Sequence, residues 1–326
     1  MDGYYQGPNI RLVTGYQFAR RIKRNICRFL KVFCQLIQSA KIIPVILAGG
    51  QGIRLWPTST PDLPKQFIPL KVGGTTFENA IKRIHNQDVF ETPVIICARQ
   101  NIGIVELLTH GMNARIICEP LGRNTAPACC IGSLAAQESG GESAVMLIMP
   151  ADHYISDIAL FEDTVRTATA AAQSRKIVTF GIRPEFGCTE YGYIERGENI
   201  GNGVYQVRSF TEKPRVKAAQ SYFKNGNYYW NSGIFLVRAD RVLNEMKTYQ
   251  SDILLYAREA WKNMQIMDGH RLLPLGIFEK LPKISFDYAI MENTSAACVA
   301  EASFKWQDLG GWDALMEFLP PEPLAS

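Results

Sequence analysis

The chain reads as an α/β protein, a mostly parallel sheet with helices on both faces, and three observations carry that expectation. Short runs rich in Val, Ile and Leu alternate with stretches of helical composition, the pattern of strands buried on both faces and joined by crossover helices. The first such run, 42–47, breaks into a glycine-rich turn, Ala48-Gly49-Gly50-Gln51-Gly52. The composition is that of an ordinary globular protein, with 326 residues, 47% hydrophobic and 20% charged, long enough to bury a large core in one or two domains.

Taken in order, strands are expected over 42–47, 93–98, 114–118, 144–149 and 176–181, and helices over 76–84, 126–139 and 160–172. From Glu190 the pattern loosens. Tyr191-Gly192-Tyr193-Ile194 and the turn at 199–204 predict a hairpin, followed by a helix over 215–223 and an apolar strand over 233–237. There is no internal repeat and no low-complexity linker, and no run approaches the ~20 uninterrupted apolar residues of a membrane span. Ligands of such sheets sit at the carboxyl ends of strands, where Gly49, Gly50, Asp152 and Asp308 fall in this reading.

The ends of the chain differ from its middle. Residues 1–41 hold eight Lys/Arg against Asp2 alone, a net +7, which leaves 27 Lys/Arg against 30 acids for the rest. Phe18, Ile22, Ile26, Phe29, Phe33 and Ile37 recur at helical spacing among Arg20, Arg21, Arg24, Arg28 and Lys31. Residues 1–40 therefore read as a basic amphipathic extension to a domain spanning 41–320, with 321–326 as a short tail. Contact with an anionic membrane surface is one use of such a helix; packing on the domain, or a start upstream of the functional one, together outweigh it. Nucleic acid is disfavoured because the rest of the chain is slightly acidic. The eight cysteines show no CxxC pair and sit mostly in apolar runs, as buried thiols of a reducing cytoplasm do. The four histidines are scattered and give a histidine metal site little support.

The glycine turn carries the first chemical signal. A backbone without Cβ atoms can curl its N–H groups around an anion, and Arg54 and Lys65 follow as cations for phosphate oxygens. The nucleotide P-loop requires Gly-Lys-Ser/Thr, but Gly52 is followed by Ile53-Arg54. The dinucleotide fingerprint requires a third glycine where Leu55 stands.

LAGGQGIRLWP at 47–57, PKQF at 64–67, EPLGRNTAPA at 119–128, MPADHYI at 149–155, FTEKP at 210–214, WNSGIF at 230–235, SFDYAIME at 285–292 and WQDLGGWDAL at 306–315 follow one another in order. FGIRP at 180–184 and YGYIE at 191–195 lie among them. This succession resembles the sugar nucleotidyltransferases, most closely the mannose-1-phosphate guanylyltransferases, over nearly all of 42–319. The resemblance implies a Rossmann-like sheet of the nucleotide-diphospho-sugar transferase type. It also implies transfer of GMP from GTP to mannose 1-phosphate, giving GDP-mannose and pyrophosphate, with Mg²⁺. The acceptor is already an anion, since the second pKa of a phosphate monoester is about 6, so the site needs cations, backbone N–H groups and a metal rather than a general base.

By that resemblance Gly49, Gly50, Gly52 and Arg54 hold the triphosphate and Lys65 neutralises it. Glu119, Asn124 and Thr125 lie where the family reads the base. Asp152 and Asp308 look like the Mg²⁺ pair, in keeping with an ion that takes one or two carboxylates and fills its shell with phosphate and water. Either alone also reads as a helix cap or turn former. Lys213 is the position that grips the sugar phosphate, with Gly192, Glu212, Asn231 and Asp287 completing the sugar pocket. Asn231 as a turn former and Asp287 as a cap are the competing readings.

The chain departs from the family at several points. Thr60 stands where many relatives carry Arg, Glu190 adds a charge beside the sugar loop, and Gly311 replaces a common Ser. The sequence stops at Ser326, short of the usual C-terminal segment and of the isomerase domain of bifunctional relatives, which leaves a homodimer and site closure open. Another hexose 1-phosphate or base, and a catalytically weak nucleotide-sugar-binding paralogue, are the alternatives. Against the last stand the intact Arg54, Lys65, Asp152, Lys213 and Asp308.

Overall fold

The structure, a computed structural model, describes residues 41–50, 52 and 55–319. The expectations for the basic extension, for Arg54 and for the tail fall outside the described residues. The first half builds parallel strands in the expected order: β1 (Ile43–Ala48), β2 (Val94–Ala98), β3 (Arg115–Glu119) and β4 (Val145–Pro150). Their connections run through α1 (Thr76–Lys82), α2 (Ile102–Leu108) and α3 (Thr125–Gly140). A short strand β5 (His153–Ile155) and the helix α4 (Ile158–Gln173) lead to β6 (Ile177–Ile182).

Local sequence explains the boundaries. Thr75 and Glu78 form a reciprocal capping box at α1, the side chain of each accepting from the other's backbone N–H. Asp157 caps α4 by accepting from the Leu160 N–H at 2.9 Å. Along β1, alternation sorts side chains into two layers. Ile43 and Val45 join α3 in one core, while Ile46 and Ala48 join α1 and α4 in the other. Helices therefore cover both faces, as expected.

The second half brings the antiparallel pieces. The expected hairpin is β7 (Tyr193–Gly201) with β8 (Val204–Thr211), followed by α5 (Val216–Asn225). The expected strand over 233–237 is longer, β9 (Tyr228–Arg238). Next come α6 (Ala239–Tyr249), α7 (Ser251–Lys262), the hairpin β10 (Gln265–Met267) and β11 (His270–Leu272), and α8 (Leu275–Phe278). A π-helical turn at Asp287–Met291, β12 (Ala297–Glu301), β13 (Trp306–Asp308) and α9 (Trp312–Met316) complete the described residues.

The described strands form an eleven-stranded sheet of order β10-β11-β3-β2-β1-β4-β9-β6-β12-β8-β7, with β13 and β5 as a separate antiparallel ribbon. From β11 to β4 every neighbour is parallel; β9 enters antiparallel to both β4 and β6. β7 also pairs with the start of β9, Tyr193 opposite Trp230, which curls the far end of the sheet round a small core of Ile194, Tyr229 and Val299.

Candidate active site

Two adjoining cavities open along the carboxyl ends of β1, β3 and β4. The first, about 710 Å³, is lined by Gly49, Gly50 and Gly52 of the turn after β1 and by Glu119 at the end of β3. Asn124 and Thr125, at the start of α3, complete its predicted lining. The second, about 330 Å³, is lined by Gly192, Glu212, Lys213, Asn231 and Asp287. Leu47, Lys65, Asn124, Thr125, Pro150 and Asp152 line both. Of the expected residues, Gly49, Gly50, Gly52 and Glu119 line only the first cavity, Gly192, Glu212, Lys213, Asn231 and Asp287 only the second, and Asn124, Thr125, Lys65 and Asp152 the wall common to both.

In the first cavity Glu119 is buried, and its Oε1 has no hydrogen-bond partner. Burial pushes its carboxyl up to about 8. A Cβ at Gly49 would meet Glu119 Oε2 at 2.9 Å, so glycine is what lets the carboxyl approach the turn. Gln66 holds the end of β1 from below, its Nε2 donating to the Ala48 carbonyl at 2.9 Å. Asn124 adopts φ 66° and accepts the Thr125 N–H on its side chain at 2.8 Å. The Thr125 hydroxyl accepts the Phe286 N–H at 2.8 Å, tying α3 to the segment that carries Asp287.

The common wall is electrostatic. Lys65 Nζ lies 2.5 Å from Asp152 Oδ2 and 3.9 Å from Asp308 Oδ1. Burial alone would raise the Asp152 carboxyl, but the Lys65 ammonium, by its charge and its hydrogen bond, together with a backbone hydrogen bond holds the group down at about 2, while burial lowers His153 and favours its neutral form. Asp152 leaves the end of β4, and Asp308 is delivered from a distant part of the chain because β13 pairs with β5, Asp308 opposite His153. His153 Nε2 is 3.8 Å from Asp152 Oδ1 and 3.9 Å from Asp308 Oδ1. Both acids therefore converge on one small region, where a lysine ammonium already stands between them. Among the described residues no group of three or more His, Cys, Asp or Glu is arranged to hold a metal by itself. A pair of carboxylates at the edge of an open cavity suits a hard cation that completes its shell with ligand oxygens.

In the second cavity Asn231 lies inside β9 rather than in a turn. Its Nδ2 donates to Asp287 Oδ1 at 2.7 Å, and its Oδ1 accepts from the Thr179 hydroxyl at 2.7 Å. Asp287 opens the π-helical turn, but its side chain is spent on Asn231 rather than on a cap. Burial raises both Asp287 and Glu212, the latter to about 8, with Lys213 opposing the shift in each. Lys213 Nζ is 3.9 Å from Glu212 Oε1.

Of the departures, Glu190 does line the second cavity. Thr60 lines neither; its hydroxyl accepts the Leu63 N–H at 3.0 Å within a local turn. Sequence reasoning missed His153 and Trp306, although each stands within two residues of a predicted aspartate inside a quoted motif. It also missed Lys283, which lines the first cavity and precedes SFDYAIME with no pattern to mark it.

Comparison with known proteins identifies the family. The family profile described as Nucleotidyl transferase matches residues 43–320. A mannose-1-phosphate guanylyltransferase of Escherichia coli is 39% identical over 287 residues, covering 86% of this chain and 62% of its own length. The corresponding protein of Sinorhizobium fredii is 39% identical, with 84% and 54% covered. The chain therefore spans about six-tenths of the curated relatives it matches. Among solved structures, one from Thermus thermophilus described as a mannose-1-phosphate geranyltransferase superposes with TM-score 0.75 at 32% identity, covering 85% of this chain and 78% of that one. A Helicobacter pylori structure described as a mannose-6-phosphate isomerase gives TM-score 0.71 at 27% identity, with 82% and 100% covered. A profile match that begins with β1 and runs through the strand bearing Asp308 establishes that this chain belongs to the nucleotidyl transferase family.

Proposed function

We propose that this chain transfers GMP from GTP to mannose 1-phosphate, releasing pyrophosphate and GDP-mannose. The observation that carries the reading is the shared wall: two cavities of unequal size meet at Lys65 and Asp152, so ligands in each would meet end to end there. GTP occupies the larger cavity with its base toward Glu119 and its phosphates on the glycine turn and Lys65. Mannose 1-phosphate occupies the smaller one, its phosphate on Lys213 and its hydroxyls on Asn231, Asp287 and Glu212. A phosphate oxygen of the sugar attacks the α-phosphorus of GTP, and a new O–P bond forms as the bond to pyrophosphate breaks. No proton is transferred to the protein. The names of the E. coli and S. fredii relatives favour guanine and mannose over other pairs.

Asp152 and Asp308 would hold Mg²⁺, which when bound relieves repulsion between the two polyanions and stabilises charge on the leaving pyrophosphate. Lys65, in contact with both acids and both cavities, adds a fixed positive charge at the point of transfer. Buried free thiols at Cys97, Cys118, Cys129, Cys130 and Cys298 suit a reducing cytoplasm.

Pyrophosphate release across a matrix of four nucleoside triphosphates and several hexose 1-phosphates tests the assignment. GTP with mannose 1-phosphate should give the highest kcat/KM. A preference for UTP or dTTP with glucose 1-phosphate would overturn the guanylyl assignment, and no turnover with any pair would favour a binding role.

A further inference from the structure

The ribbon of β13 and β5 does more than deliver Asp308. In an antiparallel pair, residues directly opposite share a face, and so do residues two apart on one strand. Asp308 is opposite His153 and Trp306 is opposite Ile155, so Trp306, Asp308 and His153 stand on one face of the ribbon. There the Trp306 Nε1–H donates to His153 Nδ1 at 3.1 Å, and the two rings meet edge to face at 5.2 Å and 85°.

The chemistry of that bond is directional. An indole N–H is only a donor, so the imidazole nitrogen it meets must be the acceptor. The proton of a neutral His153 then resides on Nε2, the atom that faces Asp152 and Asp308 at 3.8 and 3.9 Å. The opposite tautomer would turn a lone pair toward two carboxylates and leave two N–H groups facing each other. The indole is itself fixed from its other side, where Tyr191 meets it at 5.3 Å and 70° beside the sugar-cavity residue Gly192. Tyr191 leans in turn on the buried Trp230 at 5.1 Å. The backbone of the ribbon is pinned independently: Asn79 exchanges hydrogen bonds with Ile155 at 3.0 and 3.1 Å, and the fully buried Arg83 donates to the His153 carbonyl at 3.2 Å.

We propose that Trp306 is a positioning residue for the transfer reaction, setting the His153 tautomer so that the positive end of an N–H dipole, rather than a lone pair, faces the Asp152–Asp308 pair. The role rests on the reading of those acids as the ion-holding pair of a nucleotidyl transfer. Trp306 also lines the smaller cavity, but the role proposed for it does not depend on contact with the substrate. It acts through His153, as an outer partner acts through the inner group it orients.

The test is Trp306→Phe in the full chain, which keeps an aromatic ring against Tyr191 and removes the N–H. With ¹⁵N-histidine labelling, His153 in the unchanged protein should report protonated Nε2 and unprotonated Nδ1, and in the variant a mixture of tautomers. Turnover should fall by about 10–100-fold, the usual cost of losing such an outer partner, with KM for both substrates within about threefold. If Trp306→Phe is insoluble, replacing the indole at this position by benzothiophene keeps its outline and removes only the donor. An unchanged His153 tautomer, or a changed tautomer with turnover within twofold, overturns the proposal. Failure of the functional reading looks different: the unchanged protein then turns over no substrate pair, while the nitrogen spectra still decide the tautomer.

Discussion

Glu119 shows how one buried residue can govern a pH response. Its carboxyl is enclosed, has one oxygen without a partner and is pushed up to about 8 from an ordinary value near 4.5. Between those two values the folded chain retains a proton that the unfolded chain releases, so ligand-free stability is fullest at low pH and declines as pH rises toward 8. The slope from one such group is at most about 1.4 kcal/mol per pH unit. Glu119→Gln removes the titration, so thermal melts between pH 5 and pH 8.5 should show the variant gaining on the parent as pH rises. Parallel curves for the two would show that Glu119 is ionised in the fold. The sequence marked this position only through EPLGRNTAPA; that its carboxyl would be dry and pressed against Gly49 needed the turn and the end of β3 in one frame.

Among the elements, α3 shows how tightly helix and sheet fit. It packs on β1 at Gly132, where a Cβ would lie 2.6 Å from Val45 Cγ1. Gly132→Ala should cost about 1–3 kcal/mol by overpacking and lower Tm by several degrees. Combining it with Val45→Ala should recover most of the loss. An unchanged Tm for the single variant would show that the helix can move away freely.

The parallel strands of the first half and α1, α3 and α4 were legible because each is a short apolar run or a capped helical stretch, whereas the seven-residue α2, which has no side-chain cap, was not expected. The ribbon of β5 and β13 was not legible, because three-residue strands carry no periodicity and their pairing spans about 150 residues of sequence. For the same reason His153 read as a stray histidine and Trp306 as part of a motif. Between WNSGIF and SFDYAIME no quoted motif falls, and α6, α7 and the β10–β11 hairpin enter the account only from the structure.

At the scale of the whole molecule, the parallel half lines the larger cavity and the antiparallel half supplies most of the smaller one. Residues confined to one half should therefore affect one substrate. Lys213 follows β8 and lines only the second cavity. Lys213→Ala should weaken mannose 1-phosphate binding about tenfold or more, the scale of a lost charge-assisted bond, and GTP binding less than about threefold. Calorimetry showing the reverse order would remove Lys213 from the sugar phosphate. The division into two groups of residues came with the family resemblance; that their cavities adjoin at Lys65 and Asp152 was not legible, since it depends on the turn after β1 and the end of β4 lying side by side.

The two halves are joined by β9, and its pairing sets an index for the site. Against β4 it runs from Val145 opposite Arg238 to Ile148 opposite Phe235. Phe235 and Val237 fill one core, Ile234 and Leu236 the other. Sliding β9 by a single residue would exchange all four between layers. Asn231 is four residues before Phe235 on the same strand, across a bulge in which β6 advances only from Thr179 to Gly181, so the side chain that faces Asp287 in the smaller cavity is placed by that bulge together with the apolar residues packed in the half that holds the larger one.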